Sequence, residues 1–253
     1  MRVITIFTVI LMSIGINVIF AQNIDTLWSE NWEGDWTKDW HVDAGTWEVG
    51  TPTSGPGSAF SNDKCSGTVL SGNYSENVDS RLIRHTSFTV PPANENPRLR
   101  FWHWLNINTD DKGYVEIKYG TSSWIRISPE YDHTSSNKWS YASIDLSAFA
   151  GKTVEIAFHF TSKAITYYSG TYTHVSSGWY IDDVSVLKGP LNLNNPENWE
   201  TGLGDWAVER GTWEIGKPTY GPDKTTSGIN CAATVLEYFL QKTTRFSVPK
   251  FLT

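Results

Sequence analysis

Nine residues, Gly45-Thr46-Trp47-Glu48-Val49-Gly50-Thr51-Pro52-Thr53, return almost unchanged as Gly211-Thr212-Trp213-Glu214-Ile215-Gly216-Lys217-Pro218-Thr219, and no other feature limits the fold as sharply. The flanks agree: Asn31-Trp32-Glu33 answers to Asn198-Trp199-Glu200, Gly55-Pro56 to Gly221-Pro222, and Cys65-Ser66-Gly67-Thr68-Val69-Leu70 to Cys231-Ala232-Ala233-Thr234-Val235-Leu236. From Gly45 to Leu70 the offset is a constant 166. That period is too long for a solenoid unit and matches one whole domain, so the chain reads as a complete module followed by the start of a second copy. Beyond Leu236 the match lapses, and Phe246-Ser247-Val248-Pro249 then answers Phe88-Thr89-Val90-Pro91 at an offset of 158. The expected organisation is a module over 23–188, a linker over 189–197 and a truncated second repeat over 198–253. The second repeat has too few strands to close a core of its own.

Inside the first copy, apolar and polar side chains alternate over short runs separated by turn residues. The clearest run is 98–106, where Leu99, Phe101, His103 and Leu105 share one face and Arg100, Trp102, Trp104 and Asn106 the other. Both faces are large, so one is core and the other lies under a loop. Val115, Ile117 and Tyr119 alternate with Tyr114, Glu116 and Lys118, then lead through Gly120 to Trp124-Ile125-Arg126-Ile127, a hairpin with one wet face. Further strands are expected at 46–49, 68–70, 88–90, 139–146, 154–160 and 179–187, with a loop over 163–177. No segment keeps a helical period. With 13 Trp, 14% aromatic and only 19% charged residues, the expectation is all-β: a two-sheet antiparallel jelly-roll β-sandwich with an incomplete second copy.

Met1-Arg2, an uncharged apolar run over 3–20 and then Ala21-Gln22 have the charge, length and small cleavage-site residue of a secretory signal peptide over 1–21. A secreted or cell-surface protein without membrane insertion after cleavage is expected. The formal charge of −7, with no lysine or arginine run, makes nucleic acid a poor partner. Cys65 and Cys231 hold the same position in the two copies, one cysteine each, which excludes a disulfide framework within a copy. Each is either a small apolar side chain under a sheet or half of a bridge between copies.

Histidines stand at 41, 85, 103, 133, 159 and 174, none in a His-Glu-x-x-His pattern, and no nucleophile elbow or phosphate-binding glycine loop is present. Catalysis therefore has no motif behind it, although a spatially assembled site leaves no spacing signature. The chain's most chemical feature is Asp182-Asp183 in the last strand. If Tyr180, Val184 and Val186 face inward, period two turns Asp182 inward with them, and a buried carboxylate needs a partner. First and last strands of a jelly roll are commonly neighbours, so Glu33 is placed near Asp182, with Asp43 as a third acid. Those four carboxylates, Glu33, Asp43, Asp182 and Asp183, would attract a hard cation such as Ca²⁺. The alternative is that the aspartates cap backbone amides or pair with Arg81 or Arg100. A second candidate is an aromatic platform for sugar rings, formed from Trp102, Trp104 and Trp124 with Tyr167, Tyr168 and Tyr172 of the long loop, against the ordinary fate of strand tryptophans in a core.

Gly178-Trp179-Tyr180-Ile181-Asp182-Asp183-Val184-Ser185-Val186 resembles the closing strand of MAM-like and related concanavalin-A-like jelly-roll modules. Asn31-Trp32-Glu33, Ser80-Arg81-Leu82-Ile83, Leu99-Arg100-Phe101-Trp102 and Ile144-Asp145-Leu146-Ser147 are similar to further segments of that family, in its order, over about 31–187. The arrangement looks closest to the bacterial form repeated in large secreted proteins and found beside proteases of the immune inhibitor A type. The paired cysteines of animal MAM domains are missing, so their disulfides do not carry over. The resemblance implies a secreted binding or adhesion module for an extracellular glycan or protein, with a structural Ca²⁺ tying the chain ends together. Its alternatives are an accessory domain of a secreted protease or a carbohydrate-binding module of a secreted glycosidase.

Overall fold

Strand β6 (Arg98–Asn106) has the bounds that its alternation predicts, and it anchors the first of two six-stranded antiparallel sheets. The computed structural model describes residues 23–132, 138–164, 174–209, 213–222 and 224–237. The first sheet also contains β1 (Asp25–Glu30), β3 (Glu48–Gly50), β4 (Cys65–Gly67), β10 (Ser140–Asp145) and β12 (Gly178–Lys188). Its order is β10-β6-β12-β4-β3, with β1 also paired to β12. The second sheet runs β2 (Trp40–Val42), β5 (Asp79–Thr89), β11 (Thr153–Thr161), β7 (Lys112–Tyr119) and β8 (Ile125–Arg126), with β9 (Tyr131–Asp132) beside β7. Among the described residues the only helical segments are three single turns. This is a β-sandwich.

Leu99, Phe101 and Leu105 of β6 meet Ile156, Phe158 and Phe160 of β11 between the sheets, with Trp32, Trp40, Trp47 and Trp179 filling the ends. Rings touch edge to face, as Phe101 on Phe158 with centroids 5.1 Å apart, so the core gains aromatic contact beyond area burial. His103 belongs to this inner face and is 3% exposed, and burial holds its imidazole neutral by lowering its pKa to about 3. β4 forms over 65–67 rather than the expected 68–70. Thr68 leaves the ladder to donate its amide to the Trp179 carbonyl, and the Leu70 carbonyl accepts from Thr53 and Ser54.

The last strand departs from simple alternation, and with it one expectation fails. Trp179, Ile181, Val184 and Val186 face the inter-sheet core, whereas Tyr180 packs on the outer face of the first sheet with Cys65 and Trp104. Between Asp182 and Ser185 the pairing with β6 slips, and Asp183 takes a left-handed φ of 46°. A bulge inserts one residue and resets which face each later side chain occupies. Tyr180 and Asp182 therefore do not share a face with Val184 and Val186. The bulge falls between the two neighbours on the far side of β12: β4 pairs with residues 180–181 and β1 with 184–188. First and last strands are neighbours, as expected.

The second copy repeats the hairpin and loop clamps of the first. β13 (Glu214–Gly216) pairs with β14 (Cys231–Ala233) in the register of β3 with β4. Glu214 accepts the Leu236 amide as Glu48 accepts that of Leu70, and Glu200 accepts the amides of Ile229 and Asn230 as Glu33 accepts those of Asp63 and Lys64. Trp32 and Trp199 share left-handed φ values of 63° and 64°. This copy packs against the free edge of the first sheet. The Val208 amide donates to the Tyr141 carbonyl of edge strand β10, Arg98 and Arg100 both bind Asp205, and Lys138 lies 3.0 Å from Glu214. Cys65 and Cys231 are both free thiols, so no bridge joins the copies.

Candidate functional site

The outer face of the first sheet is covered in part by the loop between β3 and β4, and the reason is a set of carboxylates aimed at its amides. Asp182 Oδ2 accepts the amides of Phe60 and Ser61, each at 3.0 Å, and its Oδ1 accepts the amide of Asp183 at 2.7 Å. Asp183 Oδ1 accepts the Ser61 hydroxyl at 2.9 Å. Glu33 Oε1 accepts the amides of Asp63 and Lys64. Tyr180 supports the same loop from below, its hydroxyl 2.8 Å from Ser54 Oγ. Asp182 is 0% exposed, and burial pushes its carboxyl up to about 6 even with three amides opposing the shift. Cys65 lies beside it as a small apolar group, its thiol pushed up to about 12 by burial and then by the Asp182 charge.

The clamped loop carries Phe60 over the sheet. Its ring stacks on Trp102 with centroids 3.9 Å apart and planes 14° from parallel, and Trp139 meets it edge-on at 6.2 Å. Trp102 in turn contacts Tyr141 at 5.0 Å, and the Arg100 guanidinium lies over Tyr141 at 4.4 Å. Phe60, Trp102 and Tyr141 thus form a continuous aromatic row from the loop to the sheet edge, closed by Arg100 where the second copy docks. Phe60 is 39% exposed, Trp102 and Tyr141 are half-buried, and the last two are fixed on β6 and β10. Flat apolar faces bordered by a guanidinium suit a sugar ring or an aromatic side chain better than a small charged ligand.

The aromatic platform expected from the sequence is only partly assembled. Trp102 belongs to the row. Trp104 does not: it is 9% exposed and packs edge-on against Tyr180 at 5.6 Å, under the loop that the sequence left without an anchor. Trp124 precedes β8 on the other sheet, beside Lys118. Tyr167, Tyr168 and Tyr172 lie outside the described residues. Phe60 and Tyr141 share no sequence signal, because a residue in a Gly-Pro-Gly-Ser loop and a tyrosine on an edge strand have no common spacing. Only the Asp182 clamp brings them together.

The four carboxylates separate in the same way. Glu33, Asp182 and Asp183 hold one loop, and both Asp182 oxygens are occupied by amides. Asp43 lies on the second sheet, its Oδ1 accepting the Arg81 amide at 2.7 Å and its Oδ2 3.5 Å from Arg81 Nη1. Among the described residues no three His, Cys, Asp or Glu side chains gather as a cation cage. Glu30, which the sequence did not mark, lines one cleft with Asn31 and Asp183 at the junction of β1 and β12. Its carboxyl is raised, by burial first and by the nearby Asp39 charge, against the Trp32 and Asn31 amides.

Around Asp43 the outer face of the second sheet has its own ion network. Arg81 Nε lies 2.8 Å from Glu116, and His159 bridges Glu116 at 3.2 Å and Asp79 at 2.9 Å. Burial pulls the His159 pKa down, but its bonds to Glu116 and Asp79 outweigh that and hold it above the ordinary value. A raised folded pKa gives stability that is complete below the unfolded value near 6.5 and is lost as pH rises through the folded value. The melting temperature should therefore fall as pH is raised from 6 toward 8, and a His159→Gln variant should lose that decline. A calorimetric pH series on both proteins checks it.

No protein-family model matches the chain. It is 33% identical over 161 residues to Bacillopeptidase F of Bacillus subtilis (strain 168), an alignment covering 59% of this chain and 10% of that protein. The chain thus spans about a tenth of the length of the curated relative it matches. Among solved structures it is similar to the K1 cleaved adhesin domain of Lys-gingipain from Porphyromonas gingivalis W83, at 16% identity and a TM-score of 0.43, covering 63% of this chain and 96% of that one. It is also similar to the CBM22-1 xylan-binding domain of Xyn10C from Paenibacillus barcinonensis, at 14% identity and a TM-score of 0.41, covering 65% and 94%.

Proposed function

We propose that this chain is an extracellular, noncatalytic binding module whose ligand lies along the outer face of the first sheet. The observation that carries the reading is the aromatic row Phe60, Trp102 and Tyr141, fixed by backbone amides to a buried carboxylate and bordered by Arg100. An exposed ring on an otherwise polar surface costs solubility, and one held in place by a dedicated clamp is preorganised for contact. The favoured ligand is a glycan whose pyranose face stacks on Phe60.

A glycan array followed by titration calorimetry on the best binder tests this. Phe60→Ala should leave the fold intact, because the loop is held through its backbone, and should weaken binding at least tenfold, as truncating a central aromatic contact does. Unchanged affinity in that variant would move the ligand off this face.

The second reading is an accessory domain of a secreted peptidase, favoured by the 33% identity to a peptidase ten times longer than the matched segment. That reading expects no glycan retention and a gain in stability of a catalytic domain linked in cis.

A structural Ca²⁺ is also proposed, now at the β1–β12 cleft, where Glu30 and Asp183 are the available carboxylates. Ca²⁺ at about 100 times its dissociation constant would add about 2.7 kcal/mol of stability, visible as a higher melting temperature that a chelator reverses. The Glu30→Gln variant should not respond. Identical melting with Ca²⁺ and with chelator would leave the β1–β12 ladder to hold the ends alone.

A further inference from the structure

His41 on β2 and His85 on β5 are both exposed, and their Nδ1 atoms lie 3.4 Å apart, with ring centroids at 5.3 Å and planes tilted by 51°. Two features of the backbone bring them together from 44 positions apart. β2 pairs antiparallel with β5 with His41 opposite Ile83, which sets His85 on the next diagonal of the same ladder. β5 then bulges: Arg84 pairs with Ile156 and Phe88 with Val154, so residues 85–87 stand against Glu155 alone. The amides of His85 and Thr86 turn instead to the Asp39 carbonyl, two residues before His41. A bulge re-aims a side chain, and this one aims His85 at His41. Trp40 and Leu82 point into the core, so the two imidazoles lie on the outer face of the second sheet.

The separation is long for a hydrogen bond from an N–H donor, which spans about 2.7–3.2 Å. It suits a shared metal ion. Two imidazole nitrogens at about 2.0–2.1 Å from a tetrahedral Zn²⁺ stand about 3.3–3.4 Å apart, whereas a square-planar ion such as Cu²⁺ would hold neighbouring ligands at about 2.9 Å. The second copy shows that the strand does not need this imidazole. Asp39-Trp40-His41-Val42 returns as Asp205-Trp206-Ala207-Val208, so the frame is kept and only the histidine changes. His103 is buried in the core and His159 is held by Glu116 and Asp79, so neither presents a comparable nitrogen.

We propose that His41 and His85 form a two-histidine Zn²⁺ site, coordinating through both Nδ1 atoms, with water in the two remaining tetrahedral positions. The ion cross-links β2 to β5. Among the described residues, β2 is a three-residue edge strand that pairs with β5 alone, and it carries Trp40 into the core. An ion that binds only when the two strands are paired stabilises the folded module by mass action.

Calorimetric titration of the untagged full chain with ZnCl₂ at about pH 7.5, where an ordinary histidine is neutral, tests the site. One ion per chain is expected at the pair. His41→Ala and His85→Ala should each weaken binding about tenfold or more, because each leaves a single ligand without its chelate partner. His159→Gln should bind Zn²⁺ as the parent does. Zn²⁺ should also raise the melting temperature of the parent and of His159→Gln, but of neither alanine variant. In chelator His41→Ala should melt with the parent, since its side chain is exposed and the second copy has alanine at that place. If His85→Ala disturbs the bulge, His41→Ala decides the matter alone. No saturable binding by the parent, binding unchanged in His41→Ala, or an equal loss in His159→Gln would each overturn the site.

Discussion

Asp182→Ala should lower the melting temperature by about 6–12 °C and, at the same time, abolish any ligand binding on the first sheet. The side chain is fully buried and accepts three amides, from Phe60, Ser61 and Asp183. Each of these part-buried hydrogen bonds contributes about 1 kcal/mol, so three amount to about 3 kcal/mol. In a domain of this size each kcal/mol moves the midpoint by about 2–4 °C. Losing the two loop amides also releases Phe60 from Trp102, so the binding row disassembles with the clamp. Asp182→Asn is the informative companion. It removes the charge whose burial raises the carboxyl to about 6 and keeps one acceptor oxygen, but its NH₂ then faces an amide donor. It should be milder than alanine, and differential scanning calorimetry of the three proteins checks the order. Equal midpoints for Asp182→Ala and the parent would show that the loop is held by its other contacts.

Asp205→Ala should separate the second copy from the first. Asp205 lies 2.8 Å from Arg98 Nε and 3.2 Å from Arg100 Nη1, with side-chain exposures of 2%, 5% and 11% in that order. It also accepts the Asn192 amide, which fastens the connecting segment. Removing one partner of a buried ion cluster leaves uncompensated charge and costs about 3–5 kcal/mol. Arg98 keeps carbonyl partners at Asn96, Gly189 and Pro190, so the first module should stay folded while the docking is lost. Amide exchange should then rise at Val208, whose amide bonds the β10 edge, with the β5–β11 core unchanged. Protection of Val208 that survives the substitution would refute this account of the docking. Asp39 holds the corresponding position in the first copy, where it lies 3.7 Å from Arg84 instead. The repeat thus preserved the aspartate and gave it a different partner.

Much of the architecture was readable without coordinates, because period-two alternation is a local property. The bounds of β6 and the inner faces of β6 and β11 follow from side chains two residues apart, and the adjacency of first and last strands follows from sandwich topology. The repeat was readable for the same reason: equal words imply equal backbone, down to the left-handed Trp32 and Trp199. Period two fails where it matters for the site, at Asp182-Asp183. A bulge there depends on two different strands, β4 and β1, sharing one side of β12, and no window of sequence contains all three.

The candidate site was legible in one residue of its row. Alternation exposes Trp102 as a candidate, gives no sign of Phe60 or Tyr141, and puts Trp104 on a face that a loop covers. The acids were marked as a set, but Asp43 belongs to the other sheet and Glu30 to the cleft. What the sequence by itself determined is the fold class, the duplication and the kinds of residue available for a site. Those depend on alternation and identity along the chain. Which aromatic side chains meet and which carboxylate caps which amide were decided only by tertiary structure. Such contacts join residues far apart along the chain, Phe60 and Asp182 by 122 positions, and their distances depend on how loops cross a sheet.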